Sequence, residues 1–168
     1  MSHALVDQLR FTRREWLTGL EGVSEEDACR HFGPMNCISW DVGHLAWQEQ
    51  RYWLHRAQDR LLYPELNQLY AFEAPMSTPA LGDMLAIWQA VTRASEAYLD
   101  TLTTGDFLKQ LLYEGRAVGQ TTGSAMQRIT YHYWYHIGEI QAIRQILGHT
   151  NLPQYVGDIE TLAPYRSE

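Results

Sequence analysis

Apolar residues recur every three or four positions along most of the chain, and that period predicts helices in succession. From about Ala4 to Leu20, the positions Leu5, Leu9, Trp16, Leu17 and Leu20 mark one apolar face, and Gly19 and Gly22 loosen its end. A short helical turn is expected over residues 24–30, where Ser24 precedes three acids that suit a helix N-terminus. Phe32, Gly33 and Pro34 then break the chain. A second long helix is predicted from near Asn36 or Ser39 to about Arg60, followed by a connection over residues 62–73 with Pro64 near its start. The third has Ser77 or Thr78 as its expected N-cap and Pro79 at its first position. Its apolar positions are Leu81, Leu85, Trp88, Val91, Ala94, Tyr98 and Leu102. Gly105, Gly115, Gly119 and Gly123 predict a looser stretch before a fourth long helix, capped by Ser124 and ended by Gly148. Pro153, Gly157 and Pro164 predict an irregular tail over residues 149–168.

Four long helices, with an extended connection between the second and third, predict an all-α chain folded as a four-helix bundle. No repeat, low-complexity tract or long linker divides it, so residues 1–168 are expected to form one domain. A chain of this length removes roughly 70% of its unfolded surface from water, enough for one core without a stapling metal or disulfide. A metal here is therefore expected to serve a function.

Composition narrows the partners. Thirteen Lys and Arg against 20 Asp and Glu give a net charge of −7 with no basic block, which disfavours nucleic acid and anionic lipid as ligands. Apolar stretches fall far short of the ~20 residues that span a bilayer, and the first residues lack the shape of a secretory signal. A cytoplasmic location is expected, with Cys29 and Cys37 as free thiols. Of 20 aromatic residues, 6 Trp and 10 Tyr carry an N–H or O–H, which predicts a partly polar interior.

The chemistry sits on two helices. In the fourth, Ala125, Ile129, His132, His136, Ile140, Ile143 and Leu147 share one stripe, while Gln127, Thr130, Trp134, Gln141 and Gln145 lie roughly opposite. Two imidazoles one turn apart on the apolar side leave ring nitrogens to satisfy, at about 1–3 kcal/mol for each one left unpaired. A shared divalent cation resolves that cost, and so do hydrogen bonds within a core. In the second helix, Ile38, Val42, Leu45 and Tyr52 form one apolar stripe and Trp40, Trp47 and Leu54 another. On one side between them lie Cys37, Asp41, His44, Gln48 and His55; on the other lie Ser39, Gly43, Ala46 and Gln50. If the His44 strip is the embraced one, His44 becomes a third ligand, and three histidines leave an open coordination position. If not, that strip is the solvated face of an amphipathic helix.

One histidine in the second helix and an HxxxH pair in the last long helix resemble the DinB-like (DinB/YfiT) superfamily of metal-binding four-helix bundles. The matching residues are His44 within residues 38–47 and His132 and His136 within residues 132–139. The resemblance implies a divalent metal, zinc or nickel foremost and iron as an option, held by these three imidazoles. It also implies a thiol-dependent transferase or isomerase acting on a small-molecule substrate, such as a low-molecular-weight thiol. Iron-holding sulfoxide synthases of the superfamily resemble HxxxHxE, whereas Glu139 follows His136 by three positions. The competing reading is a non-enzymatic dimer whose histidines are hydrogen-bonded core groups.

Asp41, Gln48 and Glu139 lie three or four positions from a candidate ligand and are expected to orient the imidazoles or hold a proton, unless they are ordinary surface polarity. His3, His31, His55 and His149 are expected as surface residues or caps. Cys37 is expected to be a small buried residue near a helix start, about 10 Å along the axis from His44. Tyr131, Tyr133, Trp134 and Tyr135 encircle the histidine pair, so some of them face outward, where they suit a homodimer interface. Trp47 and Trp88 are expected in the core.

Overall fold

In the computed structural model, which describes residues 2–166, the helical period is realised as eight α-helices and a π-helical turn, joined by one two-stranded sheet. The chain divides into two compact units. One holds the residues up to Glu21, Tyr98–Leu111 and those from Ala117 onward; the other holds Gly22–Ala97 and Leu112–Arg116.

The first unit is built on α1 (Ala4–Leu20) packed against α7 (Thr122–Ile146). His3 caps α1, its Nδ1 accepting from the Leu5 amide at 3.2 Å. Val6, Leu9, Arg13, Trp16 and Leu20 are buried at helical spacing, whereas Leu17, expected on that face, is 37% exposed. The buried stripe runs one position earlier at its start, through Val6 where Leu5 was expected. Trp16 meets the fully buried Tyr133 edge-on at 5.9 Å. At the other end of the pair, the buried Arg144 donates to the Gly19 carbonyl at 2.6 Å and to His149 Nδ1 at 3.2 Å. A cation thus satisfies a carbonyl of the last turn of α1, which the helix itself leaves unbonded.

The cap of α7 is Thr121, whose hydroxyl accepts from the Ser124 amide, not Ser124 itself. Gly148 follows the last turn with φ +80°, as a C-terminal glycine should. The short helices α6 (Thr104–Phe107) and α8 (Ile159–Leu162) complete this unit, the latter interrupting the expected irregular tail. The stretch expected to be loose contains a hairpin, β1 (Gln110–Tyr113) and β2 (Arg116–Thr121). Glu114 and Gly115 join the strands with φ of 50° and 73°, the two-residue turn that requires both angles positive.

The second unit contains α2 (Glu25–Ala28), α3 (Ile38–Glu49), the π-helical turn Gln50–Arg56, α4 (Leu66–Leu69) and most of α5 (Leu81–Leu99). The expected second helix is thus α-helical only to Glu49 and then widens to i→i+5 winding. Gln50, at the change, is 1% exposed. Its Oε1 accepts from the Leu62 and Tyr63 amides at 2.9 Å each, and its Nε2 donates to the Tyr63 carbonyl at 2.9 Å.

The third long helix begins at Leu81, later than Ser77, Thr78 and Pro79 would place it. Its first amides are capped from elsewhere in the chain. The Glu25 carboxylate accepts from Leu81 N and Gly82 N, both at 2.8 Å, placing a negative charge on the positive end of the helix. Glu25→Ala should therefore lower stability by about 0.5–2 kcal/mol while leaving helix content unchanged. Urea unfolding followed by circular dichroism measures this, and a midpoint equal to wild type would contradict the cap.

Candidate functional site

The long helix α7 places His132 and His136 on adjacent turns of one face, with Ala125, Ile129, Ile140 and Ile143 buried on the same stripe. His136 is 5% exposed and His132 half-buried. Their Nε2 atoms stand 3.2 Å apart, the rings nearly perpendicular at 84°. Behind His136, a carboxylate oxygen of Glu139 lies 2.6 Å from Nδ1. A carboxylate that close to Nδ1 favours a proton there.

Of the aromatic run around the pair, Tyr133 is fully buried and Trp134 partly so, while Tyr131 and Tyr135 are 67% and 61% exposed. Tyr135 lies parallel to the His132 ring at 6.2 Å and perpendicular to the His136 ring at 5.0 Å.

In the second unit, all twelve residues of α3 are buried. Neither strip of this helix is solvated, so the choice between a His44 strip and a Gly43 strip does not arise. Both face protein. His44 stacks on Trp40, one turn earlier, at 5.1 Å and 13°, and contacts Trp47, one turn later, at 5.2 Å. Its Nδ1 lies 2.6 Å from the Tyr70 carbonyl oxygen. A carbonyl only accepts, so Nδ1 carries the proton and Nε2 keeps its lone pair. Asp41 and Gln48 share this helix and are 2% and 8% exposed. The Gln48 Oε1 is buried with no hydrogen-bond partner among the described residues.

Sequence reasoning missed Tyr70, which sits 26 residues after His44 in a connection with no periodic pattern to mark it. Burial raises its phenol pKa, the Cys37 thiol nearby adds to the rise, and a hydrogen bond with Ser77 opposes it. Cys37 is buried, directly precedes α3 and donates to the Ser77 carbonyl at 3.3 Å, as its place near a helix start suggested. Both cysteines are free thiols. Trp47 and Trp88 are buried.

The remaining histidines serve elsewhere. His3 and His149 are hydrogen-bonded at helix ends, His31 Nδ1 lies 3.0 Å from the Met35 carbonyl, and His55 packs edge-on to Tyr113 at 5.2 Å. The His132–His136 pair of the first unit and His44 of the second each offer a ring nitrogen of the kind that binds metal. No helix among the described residues is long and apolar enough to cross a membrane.

Comparison with known proteins gives one family: the model described as the DinB superfamily matches residues 8–140, a span that contains all three histidines. The comparison with curated proteins gives no match.

The Nε2–Nε2 contact has a consequence for proton placement. One proton must lie between two such nitrogens for them to bond at 3.2 Å, and Glu139 draws the His136 proton to Nδ1. Metal-free protein should therefore hold His136 as the Nδ1–H tautomer and His132 as the Nε2–H tautomer. Long-range ¹H–¹⁵N spectra above pH 7.5 read both directly, and the reverse assignment would refute this arrangement.

Proposed function

Because the chain belongs to the DinB superfamily, we propose that it is a metal-dependent transferase. In this reading His44, His132 and His136 hold one divalent cation in a bundle of four long helices. The substrate is a small thiol, or water, passed to an electrophilic small molecule.

One observation carries the reading: the Nε2 atoms of His132 and His136 converge to 3.2 Å with a carboxylate behind one of them. Two imidazole nitrogens about 2.0–2.1 Å from a tetrahedral cation stand roughly 3.3–3.4 Å apart, so the pair fits a metal with little adjustment. His44 supports it independently, since the Tyr70 carbonyl holds a proton on Nδ1 and leaves Nε2 as the ligand atom. A ligating histidine whose other nitrogen faces a carboxylate or backbone carbonyl is the usual arrangement at metal sites. Neutral nitrogen donors suit zinc or nickel and also admit iron.

When bound, the cation lowers the pKa of a thiol or water at its open position, so that the anion is present near neutral pH. The chain's own groups do the rest. Glu139 fixes the tautomer of His136 and increases its electron donation. Asp41 and Gln48, buried on the His44 helix, orient the bound substrate; the unpartnered Gln48 Oε1 takes a hydrogen bond from it. Trp40 and Trp47 hold the His44 ring plane and keep water from its faces. The exposed Tyr131 and Tyr135 on α7 suit a homodimer face, and we place the enzyme in the cytoplasm. One observation favours the competing reading of hydrogen-bonded core histidines: the same 3.2 Å contact satisfies both rings if one proton lies between them.

Elemental analysis after zinc or nickel loading of protein prepared without a histidine tag separates the two. The wild type should carry about one metal per chain, and His132→Ala and His136→Ala almost none, with circular dichroism unchanged. Full stoichiometry in either variant rejects the assignment, and a wild type that takes up no metal favours the core reading. Metal-loaded protein assayed with a panel of thiols and an activated aryl halide should give a thioether only with metal present. Equal rates with and without metal would reject the transferase.

A further inference from the structure

We infer that Tyr70 is a positioning residue for His44, and that position 43 is glycine to admit the Tyr70 ring. The inference rests on His44 being a ligand, but its first test does not need a metal. Contact with Trp40 and Trp47 fixes the plane of the imidazole and leaves its sense undecided, because a half-turn about the last side-chain bond keeps the plane while placing each ring nitrogen where a ring carbon stood. The Tyr70 carbonyl decides it, 2.6 Å from Nδ1. What carries that carbonyl to His44 is therefore what selects the ligand nitrogen.

Three features carry it. Tyr70 ends the short helix α4, so its carbonyl lies beyond the helical ladder and is available to a side chain. Its ring is 5% exposed and lies directly on the backbone of α3 at Gly43. A Cβ there would stand 2.7 Å from Cδ1 and 2.8 Å from Cε1 of the ring, and 3.0 Å from Met84 Sδ. The ring cannot simply slide away, because the connection is tied to the same helix on both sides. Trp47 Nε1 donates to Asn67 Oδ1 at 2.9 Å, Gln50 binds the backbone at Leu62 and Tyr63, and Cys37 donates to Ser77 O at 3.3 Å. With those ties in place, a methyl group at position 43 must lift the ring, and the carbonyl attached to the same residue moves with it.

The expected effects follow this chain of contacts. In metal-free wild type, long-range ¹H–¹⁵N spectra should show His44 as the Nδ1–H tautomer. An Nε2–H tautomer overturns the inference without any variant. Gly43→Ala should mix the two tautomers and weaken zinc binding by roughly 10–100-fold, measured by competition with a chromogenic chelator. Tyr70→Phe keeps the ring and the carbonyl and should bind zinc as wild type does, which separates this role from one for the phenol. Tyr70→Ala removes the obstacle to a methyl group, so Gly43→Ala should cost less in the Tyr70→Ala background than alone. Additive losses, or wild-type affinity in Gly43→Ala, would overturn the inference. If wild type takes up no zinc while Gly43→Ala still mixes the His44 tautomers, the positioning role stands and the metal assignment fails.

Discussion

A helix buried on every side must find protein partners for its polar side chains, and α3 is such a helix. Ser39, Asp41, His44, Gln48 and Glu49 are all withdrawn from water along its twelve residues, and Gln50 follows in the π-helical turn. Leaving such groups without partners would cost about 1–3 kcal/mol each, a large share of the stability of a domain of this size. Much of the second unit can be understood as the answer to that demand. The connection after α3 returns along it and supplies backbone groups to His44 and Gln50 and a side chain to Trp47. The two thiols answer smaller versions of the same need, donating to the carbonyls of Pro79 and Ser77.

The change from α- to π-helical winding belongs to this arrangement. Wider winding shifts the direction in which successive side chains point, and it begins at the residue that binds three backbone groups of the returning chain. Propensity contributes little here, since tertiary hydrogen bonds outweigh the few tenths of a kcal/mol by which residues differ in helix preference. The start of α5 has the same character. A carboxylate from α2, more than fifty residues earlier, replaces the local cap that Ser77, Thr78 and Pro79 predict.

The longest helix, α7, obeys the simpler rule of amphipathic periodicity. Ala125, Ile129, Ile137, Ile140 and Ile143 face protein, and the histidine pair shares their side because i and i+4 lie on one face. Arg144 shows what else such a stripe can hold. Its buried charge is tolerated because it is spent on the Gly19 carbonyl and His149.

The bounds of α1, the C-terminal glycine of α7, the shared face of His132 and His136, the free thiols and the family were all legible in the residues. They are properties of short stretches, fixed by spacing and by local backbone preference. The burial of both sides of α3, the Glu25 cap, the Glu114–Gly115 hairpin and the Tyr70 carbonyl at His44 were not. Apart from the hairpin turn, whose glycine was read only as looseness, each joins residues far apart in the chain. A helical projection reports which side chains share a face; it carries no information about what covers that face. The sequence alone therefore determined which imidazoles are candidates, while tertiary structure decided which nitrogen of His44 carries the proton, because that choice belongs to a backbone carbonyl 26 residues away.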